Sequence, residues 1–293
     1  THRRTGLDAF DFVIVGAGSA GSVLANRLTA SGKYTVLLLE AGGSDKTPLV
    51  QIPIGYGKIF YDAAVNWKYI TEPDPNLDNR PIYWPRGKVL GGSSSINAMV
   101  YVRGHQNDYA EWNAAAPGWG WGDVEPLFRR MENWDGAPSP ARGKGGPLAV
   151  HDVRPEVHPL TRTYLEAAAQ AGFPTNPDYN GPDMEGATTY QITTKGGFRA
   201  SAARCYLDPA RKRPNLEVRT RAHATRVLFD GTRAIGVEYR HKGQIQTARA
   251  RAEVILSGGA INSPQLLQLS GIGPGQVLQD HGIDVLLDAA QVG

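Results

Sequence analysis

Three glycines and one glutamate near the start of the chain have the spacing of a site that binds phosphate and ribose. The glycines are Gly16, Gly18 and Gly21, and Glu40 follows them. In such a turn, the first glycine permits a tight bend, the second admits a phosphate to the backbone, and the third lets a helix pack on a strand. A carboxylate at the position of Glu40 accepts hydrogen bonds from ribose hydroxyls and disfavours the extra phosphate of NADP. The pattern predicts a dinucleotide site and leaves NAD and FAD open.

The residues around these glycines predict the elements that position them. Residues 12–15 are apolar and largely β-branched, which is typical of a strand buried on both faces, and residues 19–30 follow as a helix that begins with small residues. The helix N-terminus would present unpaired N–H groups to a phosphate. Residues 35–39 form the next strand, which ends at Glu40. The alternative is an ordinary strand–helix–strand unit whose glycine turn arose by chance.

A second glycine-rich segment spans residues 87–97 and reads GKVLGGSSSIN. Gly91 and Gly92 remove side chains where backbone must lie against a pyrophosphate or a ring edge, and the three serines that follow add hydroxyl and N–H donors. Together with residues 101–109, this segment closely resembles the first signature of the glucose-methanol-choline (GMC) flavoprotein oxidoreductases. Residues 11–43 resemble the FAD-binding start of that family, residues 67–85 its lid segment, and residues 258–274 its second signature. These ordered matches favour FAD over NAD.

The resemblance implies an α/β fold in which a Rossmann-like FAD-binding domain of the glutathione-reductase type, with a β-meander, is joined to the beginning of an α+β substrate domain. Residues 1–155 and 222–293 would form the discontinuous FAD-binding domain, and residues 156–221 would begin the substrate-binding domain. The residues themselves predict meander strands at 216–220, 225–229, 235–239 and 244–248, with a hairpin turn at Asp230-Gly231.

The resemblance also implies which residues contact FAD. They are Gly16, Gly18, Ser19, Ala20, Gly21, Glu40, Ala41, Trp67, Val89, Gly92, Ser93, Asn97, Ala98, Met99, Val100 and Ala224. Some members of the family attach FAD covalently through a histidine at the motif position that Asn97 occupies here, so we expect non-covalent binding. His105, eight residues further on, is interpreted as a loop residue.

The implied activity is oxidation of an alcohol to an aldehyde or ketone, and the chain looks most like choline-dehydrogenase-like members and alcohol oxidases. A base would remove the hydroxyl proton while hydride passes to flavin N5, and the electrons would leave to oxygen or another acceptor. The histidine that serves as this base in the family lies beyond Gly293, so the catalytic residue stays unknown and we expect the chain to be an N-terminal part that is inactive alone. The alternatives are an FAD-dependent lyase or photodecarboxylase of the same fold, and an inactive flavin-binding fragment.

Composition limits the other classes of function. The formal net charge is only +3, and the short basic clusters lack interleaved aromatic residues, so we expect no nucleic-acid partner. No apolar run is long enough for a transmembrane segment, and residues 1–8 are too short and polar for a signal peptide. The expected compartment is the bacterial cytoplasm, with the membrane periphery and the periplasm as alternatives for the intact protein.

Metal binding is not expected from the side chains present. Cys205 is the single cysteine, which excludes an internal disulfide and a cysteine pair for a metal. The seven histidines show no metal-ligand spacing. His151 and His158 lie in a proline-containing loop and are interpreted as lacking carboxylate partners.

Overall fold

The computed structural model describes residues 8–293, which fall into two compact units. Within the described part, the first unit comprises residues up to Asn97 together with Ser201–Gly293, and the second is Ala98–Ala200. The expected domain boundaries at residues 155 and 222 differ from these geometric ones. The expected boundaries rest on the family resemblance and stay predictions. The signal-peptide interpretation of residues 1–8 lies outside the described residues, apart from Asp8.

The first unit is built on a six-stranded sheet and two main helices. Their bounds are β1 Asp8–Val15, α1 Ser19–Leu28, β2 Val36–Leu39, β3 Leu216–Arg219, β4 Ala222–Asp230, β5 Arg233–His241, β6 Gln244–Leu256 and α2 Gly259–Gln268. The spatial order of the strands is β4-β5-β6-β1-β2-β3. Strands β6, β1, β2 and β3 are parallel neighbours, whereas β4, β5 and β6 pair antiparallel.

Both faces of the parallel part of the sheet are buried, as the apolar composition of β1 and β2 predicts. Side chains alternate along a strand, so Val13 and Leu37 belong to one apolar cluster and Ile14 and Leu38 to another. All four side chains are fully buried. Apolar packing on both faces of the sheet fixes the register of β1 and β2. The turn after β1 therefore begins from a well-packed strand.

The predicted meander is confirmed for three of its four strands. β4 and β5 form a hairpin around Asp230 and Gly231, where Gly231 adopts a positive φ of 57°. The interpretation of residues 216–220 as part of the meander is wrong, because β3 pairs parallel with β2 at the opposite edge of the sheet. β6 is also longer than predicted, since its second half continues as the parallel neighbour of β1.

Short elements complete the first unit. The segment that resembles the family lid contains a two-stranded antiparallel pair, Tyr69–Ile70 with Tyr83–Trp84. A parallel pair, Ile272–Gly273 with Leu287–Asp288, lies near the end of the chain. The remaining helical elements are Pro48–Gln51, Pro53–Gly55, Tyr56–Ile59, Pro75–Leu77, Gly92–Ser95, the π-helical turn Ala203–Leu207, Asp208–Ala210 and Gly275–Asp280.

The second unit contains an ion-pair cluster that burial isolates from water. Glu132 is fully buried and accepts hydrogen bonds from Arg103, at 2.6 Å, and from Arg142. Arg142 also contacts Asp178 at 2.8 Å, so carboxylates lie on two sides of its guanidinium.

The secondary-structure elements of the second unit are helices Gln106–Ala115, Trp121–Met131 and Pro159–Gln170, the turn Arg154–Glu156, the parallel strands Glu132–Trp134 and Leu148–Val150, and the hairpin strands Thr194–Lys195 and Phe198–Arg199.

His151 in the second unit corrects one expectation. It does have carboxylate partners, because its Nδ1 lies 2.6 Å from Asp135 and its Nε2 lies 3.2 Å from Glu156. Desolvation pulls the pKa of His151 down, but the hydrogen bonds and charges of the two carboxylates outweigh it and the pKa lies above its ordinary value. The two carboxylates lie on opposite ring nitrogens, which is the arrangement of an ion-paired imidazolium.

We expect Gly21→Ala to destabilise the protein. A Cβ at Gly21 would overlap the carbonyl oxygen of Gly16, so α1 would have to move away from the end of β1. Thermal and urea unfolding should show a loss of about 3 kcal/mol, at the upper end of overpacking costs. The matched control is Gly57→Ala, also in a helix, where a Cβ meets no atom within 4 Å. An unfolding midpoint of Gly21→Ala equal to that of the control would refute this account of the packing.

Candidate functional site

The carboxyl ends of three parallel neighbouring strands meet at one edge of the sheet. Val15 ends β1, Leu39 ends β2 and Leu256 ends β6, and their registers align Val15 with both of the others. In open α/β sheets, ligands bind in the crevice beyond these carboxyl ends. A cavity of about 460 Å³ lies there. Gly16, Glu40 and Ser257, which directly follow the three strands, all line it.

The first glycine turn has the geometry that its spacing predicts. Gly16 has a φ of 95°, and a Cβ there would lie 2.5 Å from the carbonyl oxygen of Ser257. Gly18 differs, because the nearest atom that a Cβ there would meet, Gly92 Cα, lies 3.9 Å away. Gly18 is also the N-cap of α1, and no side chain caps the helix there. The backbone N–H groups of the first turn are therefore available to a ligand in the cavity.

The second glycine-rich segment packs directly on the first. Gly91 N donates to Ala17 O at 2.8 Å, and Leu90 N donates to Gly43 O at 3.0 Å. A Cβ at Gly92 would lie 2.7 Å from Gly18 Cα, so the two backbone segments approach more closely than a side chain at Gly92 would allow. Gly92 and Ser93 consequently line the same cavity as Gly18.

Glu40 is 5% exposed and holds its carboxylate at the cavity wall through backbone donors. Oε2 accepts from Ala17 N at 2.9 Å, and Oε1 accepts from Gly42 N at 2.8 Å. Desolvation by burial raises the pKa of Glu40 to about 7, and these two hydrogen bonds and the charge of Lys88 oppose the rise only in part. Each oxygen keeps a second acceptor position, so the carboxylate can still accept from a hydroxyl in the cavity.

An aromatic group forms another part of the wall. The Trp67 ring lies parallel to Tyr69, with centroids 6.0 Å apart, and the Nζ of Lys88 lies 4.5 Å from the Trp67 centroid. His223 contacts the same indole from β4, at 5.4 Å between centroids. The side-chain amide of Asn262 donates to the Tyr69 hydroxyl at 2.6 Å, which ties this group to α2.

Most of the predicted site residues come together in this cavity. Those that line it are Gly16, Gly18, Ser19, Ala20, Glu40, Ala41, Trp67, Gly92, Ser93 and Ala224. Gly21 is buried beneath the turn, and Val89 is fully buried in an apolar cluster with Val50, so neither belongs to the cavity wall. Asn97 is the last residue of the first unit before the boundary, and Ala98, Met99 and Val100 belong to the second unit. Their contacts with a cofactor stay predictions.

The cavity also contains residues that were not predicted as site residues. They are chiefly Arg86, His223 and the segment from Ser257 to the start of α2, including Gly258, Gly259 and Asn262. A signal for this segment exists in the sequence, because an apolar strand followed by two glycines and a helix repeats the pattern of the first turn. No such pattern marks His223, whose position depends on how β4 crosses the end of β2.

Residues 10–283 match the family described as GMC oxidoreductase. The chain belongs to this family. The oxygen-dependent choline dehydrogenase of Rhizobium rhizogenes is 50% identical over 97% of this chain and 51% of its own length. The alcohol dehydrogenase [acceptor] of Pseudomonas putida is 46% identical over 97% of this chain and 52% of its own length. The chain thus spans about half the length of the curated relatives it matches.

Solved structures of other proteins have the same fold. Pyridoxine 4-oxidase from Mesorbium loti superposes with a TM-score of 0.91 at 35% identity, covering 96% of this chain and 55% of its own. A formate oxidase of Aspergillus oryzae, studied for its FAD modification, gives a TM-score of 0.89 at 30% identity, covering 99% of this chain and 52% of its own. The expected α/β flavoprotein fold is therefore confirmed.

Glu40 should make the stability of the cofactor-free protein depend on pH. Its folded pKa of about 7 lies above the ordinary 4.5, so the folded state binds the proton more tightly than the unfolded state. The stabilisation is complete below the ordinary pKa and is lost as pH rises through the folded pKa. Relative to Glu40→Gln, the wild type should lose about 3 kcal/mol between pH 4.5 and 8, at about 1.4 kcal/mol per unit. Urea unfolding of both proteins across this range measures the difference, and curves that stay parallel would contradict it.

Proposed function

We propose that the cavity binds FAD non-covalently and that the intact protein is an FAD-dependent oxidoreductase acting on the CH–OH group of a small alcohol. The observation that carries the proposal is the convergence of Gly18, Glu40 and Gly92 on one cavity at the carboxyl ends of β1, β2 and β6. Family membership supports the flavin, because the formate oxidase of the same fold undergoes FAD modification.

The residues present fit the adenosine diphosphate half of FAD. The space beside Gly18 accepts a pyrophosphate at the N-terminus of α1, where Ser19 and Ala20 begin the helix. The carboxylate of Glu40 accepts from ribose hydroxyls while its backbone donors hold it in place. Gly92 keeps the backbone close to Gly18 and so keeps the shape of this space, because a side chain at Gly92 would collide with Gly18. A volume of about 460 Å³ is within the usual range of ligand pockets.

When bound, FAD supplies the acceptor for the hydride of the alcohol. The chain's own contribution is to bind and orient: α1 faces the phosphates, Glu40 positions the ribose, and the close contact of the two glycine segments keeps the cavity shape. An alcohol is proposed as substrate because the relatives are named choline dehydrogenase and alcohol dehydrogenase. The electron acceptor is oxygen or another acceptor, as those two names suggest for the relatives themselves.

The proposal extends to the organisation of the chain. The first unit would carry the cofactor, and the second would begin the part that faces the substrate. Among the helices of residues 8–293, none is long and apolar enough to cross a membrane. Both named relatives are bacterial proteins, which supports a bacterial source as part of the proposal.

Gly18→Val should abolish retention of FAD. Gly18 has a φ of −72°, so valine is tolerated by the backbone, and its side chain would fill the space proposed for the pyrophosphate. The chain is incubated with FAD, freed of excess and measured by visible absorption. We expect a resolved flavin spectrum for wild type and a reduction of at least tenfold in bound flavin for the variant.

The matched control is Gly57→Val, which places the same side chain where a Cβ meets no atom within 4 Å and which lies outside the cavity. It should retain FAD like wild type, and circular dichroism should show that all three proteins are folded. Wild-type retention by Gly18→Val would overturn the assignment of this cavity to FAD.

A further inference from the structure

One imidazole in the second unit lies between two carboxylates from different loops. The Nδ1 atom of His151 lies 2.6 Å from Asp135, and its Nε2 atom lies 3.2 Å from Glu156. Asp135 directly follows the strand Glu132–Trp134, whereas Glu156 ends the turn Arg154–Glu156. These three side chains, the His151 clamp, therefore join the end of a strand to a turn.

Two members of the clamp are held by backbone groups. His151 N donates to Ile192 O at 2.8 Å, and Ile192 N donates to His151 O at 3.2 Å. Asp135 Oδ1 accepts from Asp152 N at 2.8 Å. None of these bonds involves the proton of the imidazole. Within residues 8–293, the carboxylate of Glu156 has His151 as its one ion-pair partner, so the state of the ring decides whether Glu156 is held.

The two contacts of the ring require a positive charge. Both nitrogens of an imidazolium are donors, whereas a neutral imidazole has one donor and one acceptor nitrogen. Loss of the proton therefore turns one nitrogen into an acceptor that faces a carboxylate. Glu156 is the partner that is released, because its contact is the longer one and its side chain is 71% exposed, against 50% for Asp135.

The charged groups around the ring favour the imidazolium. Desolvation lowers the pKa of His151, but the hydrogen bonds and charges of the two carboxylates of the clamp outweigh it, and the pKa lies above its ordinary value of 6.5. Asp152 also lies close to the ring, but it is paired with Arg154, whose Nε lies 2.8 Å from its Oδ1. Residues 190–194, which include the backbone partner of His151, carry no charge.

The turn that Glu156 ends leads into a helix with little packing of its own. Helix Pro159–Gln170 begins three residues after Glu156, and none of its twelve residues is buried. Its N-terminus is capped by His158, whose Nδ1 accepts from Leu160 N at 3.2 Å. Segments with few buried contacts open at the lowest free energy in a native protein. The clamp thus holds the segment of the second unit that is easiest to release.

We propose that the His151 clamp is a pH-sensitive device. The protonated imidazole holds the turn Arg154–Glu156 and the start of helix Pro159–Gln170 on the end of the strand pair, and the neutral imidazole releases them. Because the pKa of His151 is raised in the folded state, this stabilisation is complete below the ordinary pKa and is lost as pH rises through the folded pKa. The inference goes beyond the proposed function and does not depend on it.

Hydrogen exchange measured by NMR on the whole chain, from about pH 5.5 to about pH 8.5, tests the clamp residue by residue. Protection factors remove the intrinsic effect of pH on exchange. Those of Glu156 N and Thr161 N, which donate to Val153 O and His158 O, should fall about threefold as pH rises, the size expected of one exposed ion pair. The amide of Ile192 should keep its protection, and the His151 ring should titrate above 6.5.

His151→Gln, which cannot become charged, should show low protection of the turn and the helix start at every pH. His158→Asn is the matched control, because asparagine keeps a side-chain cap and removes the other imidazole near the turn. Protonation of His158 acts in the opposite direction, since it would cost the bond from Leu160 N. The control should therefore keep the fall in protection with rising pH.

The inference is overturned if wild-type protection at Glu156 and Thr161 does not change with pH, or if Ile192 loses protection to the same extent, which would mean a general opening of the unit. It is equally overturned if His151→Gln keeps the pH dependence or if His158→Asn loses it. The titration of the His151 ring in wild type gives a test that needs no variant, since a midpoint at or below 6.5 contradicts an imidazolium held by two carboxylates.

Discussion

The close approach of Gly18 and Gly92 is the constraint on which the rest of the cavity depends. Two backbone segments from different parts of the chain pack with no side chain between them, and the hydrogen bond from Gly91 N to Ala17 O locks their register. Gly16 lets the first turn bend tightly, and Gly21 lets α1 pack against that turn. A side chain at Gly16, Gly21 or Gly92 would separate the surfaces that form the cavity.

The parallel order of β6, β1 and β2 explains why one cavity collects residues from distant parts of the chain. Each strand ends at the same edge and is followed at once by a residue that lines the cavity. β6 has a double role, since its first half completes the meander and its second half continues the parallel sheet. Because the second half of β6 pairs with β1, the turns that follow these strands, at Gly16 and Gly258, lie next to each other.

Spacing along the sequence predicts the glycine turn and Glu40, because these features depend on local backbone geometry. The family resemblance adds other residues of the cavity wall, such as Trp67 and Gly92. Sequence reasoning failed for the strand at 216–220, whose apolar pattern fits a meander and a parallel edge equally well. It also failed for His151, whose partner Asp135 lies sixteen residues away across a strand pair. Long-range pairing of this kind leaves no periodic signal in one sequence.

The pKa of Glu40 also depends on the tertiary structure, and the sequence alone does not reveal it. Its position can be predicted from the spacing to Gly16, but its pKa of about 7 follows from its burial in the folded protein. Two backbone donors compensate only part of the cost of desolvating the carboxylate. Hydroxyl donors from a ligand would supply further hydrogen bonds to the charged form, which lowers the pKa of a carboxyl group. The ionised carboxylate of Glu40 is thus less stabilised in the cofactor-free protein than it would be with a ribose bound. This is expected for a group that is retained for binding rather than for folding.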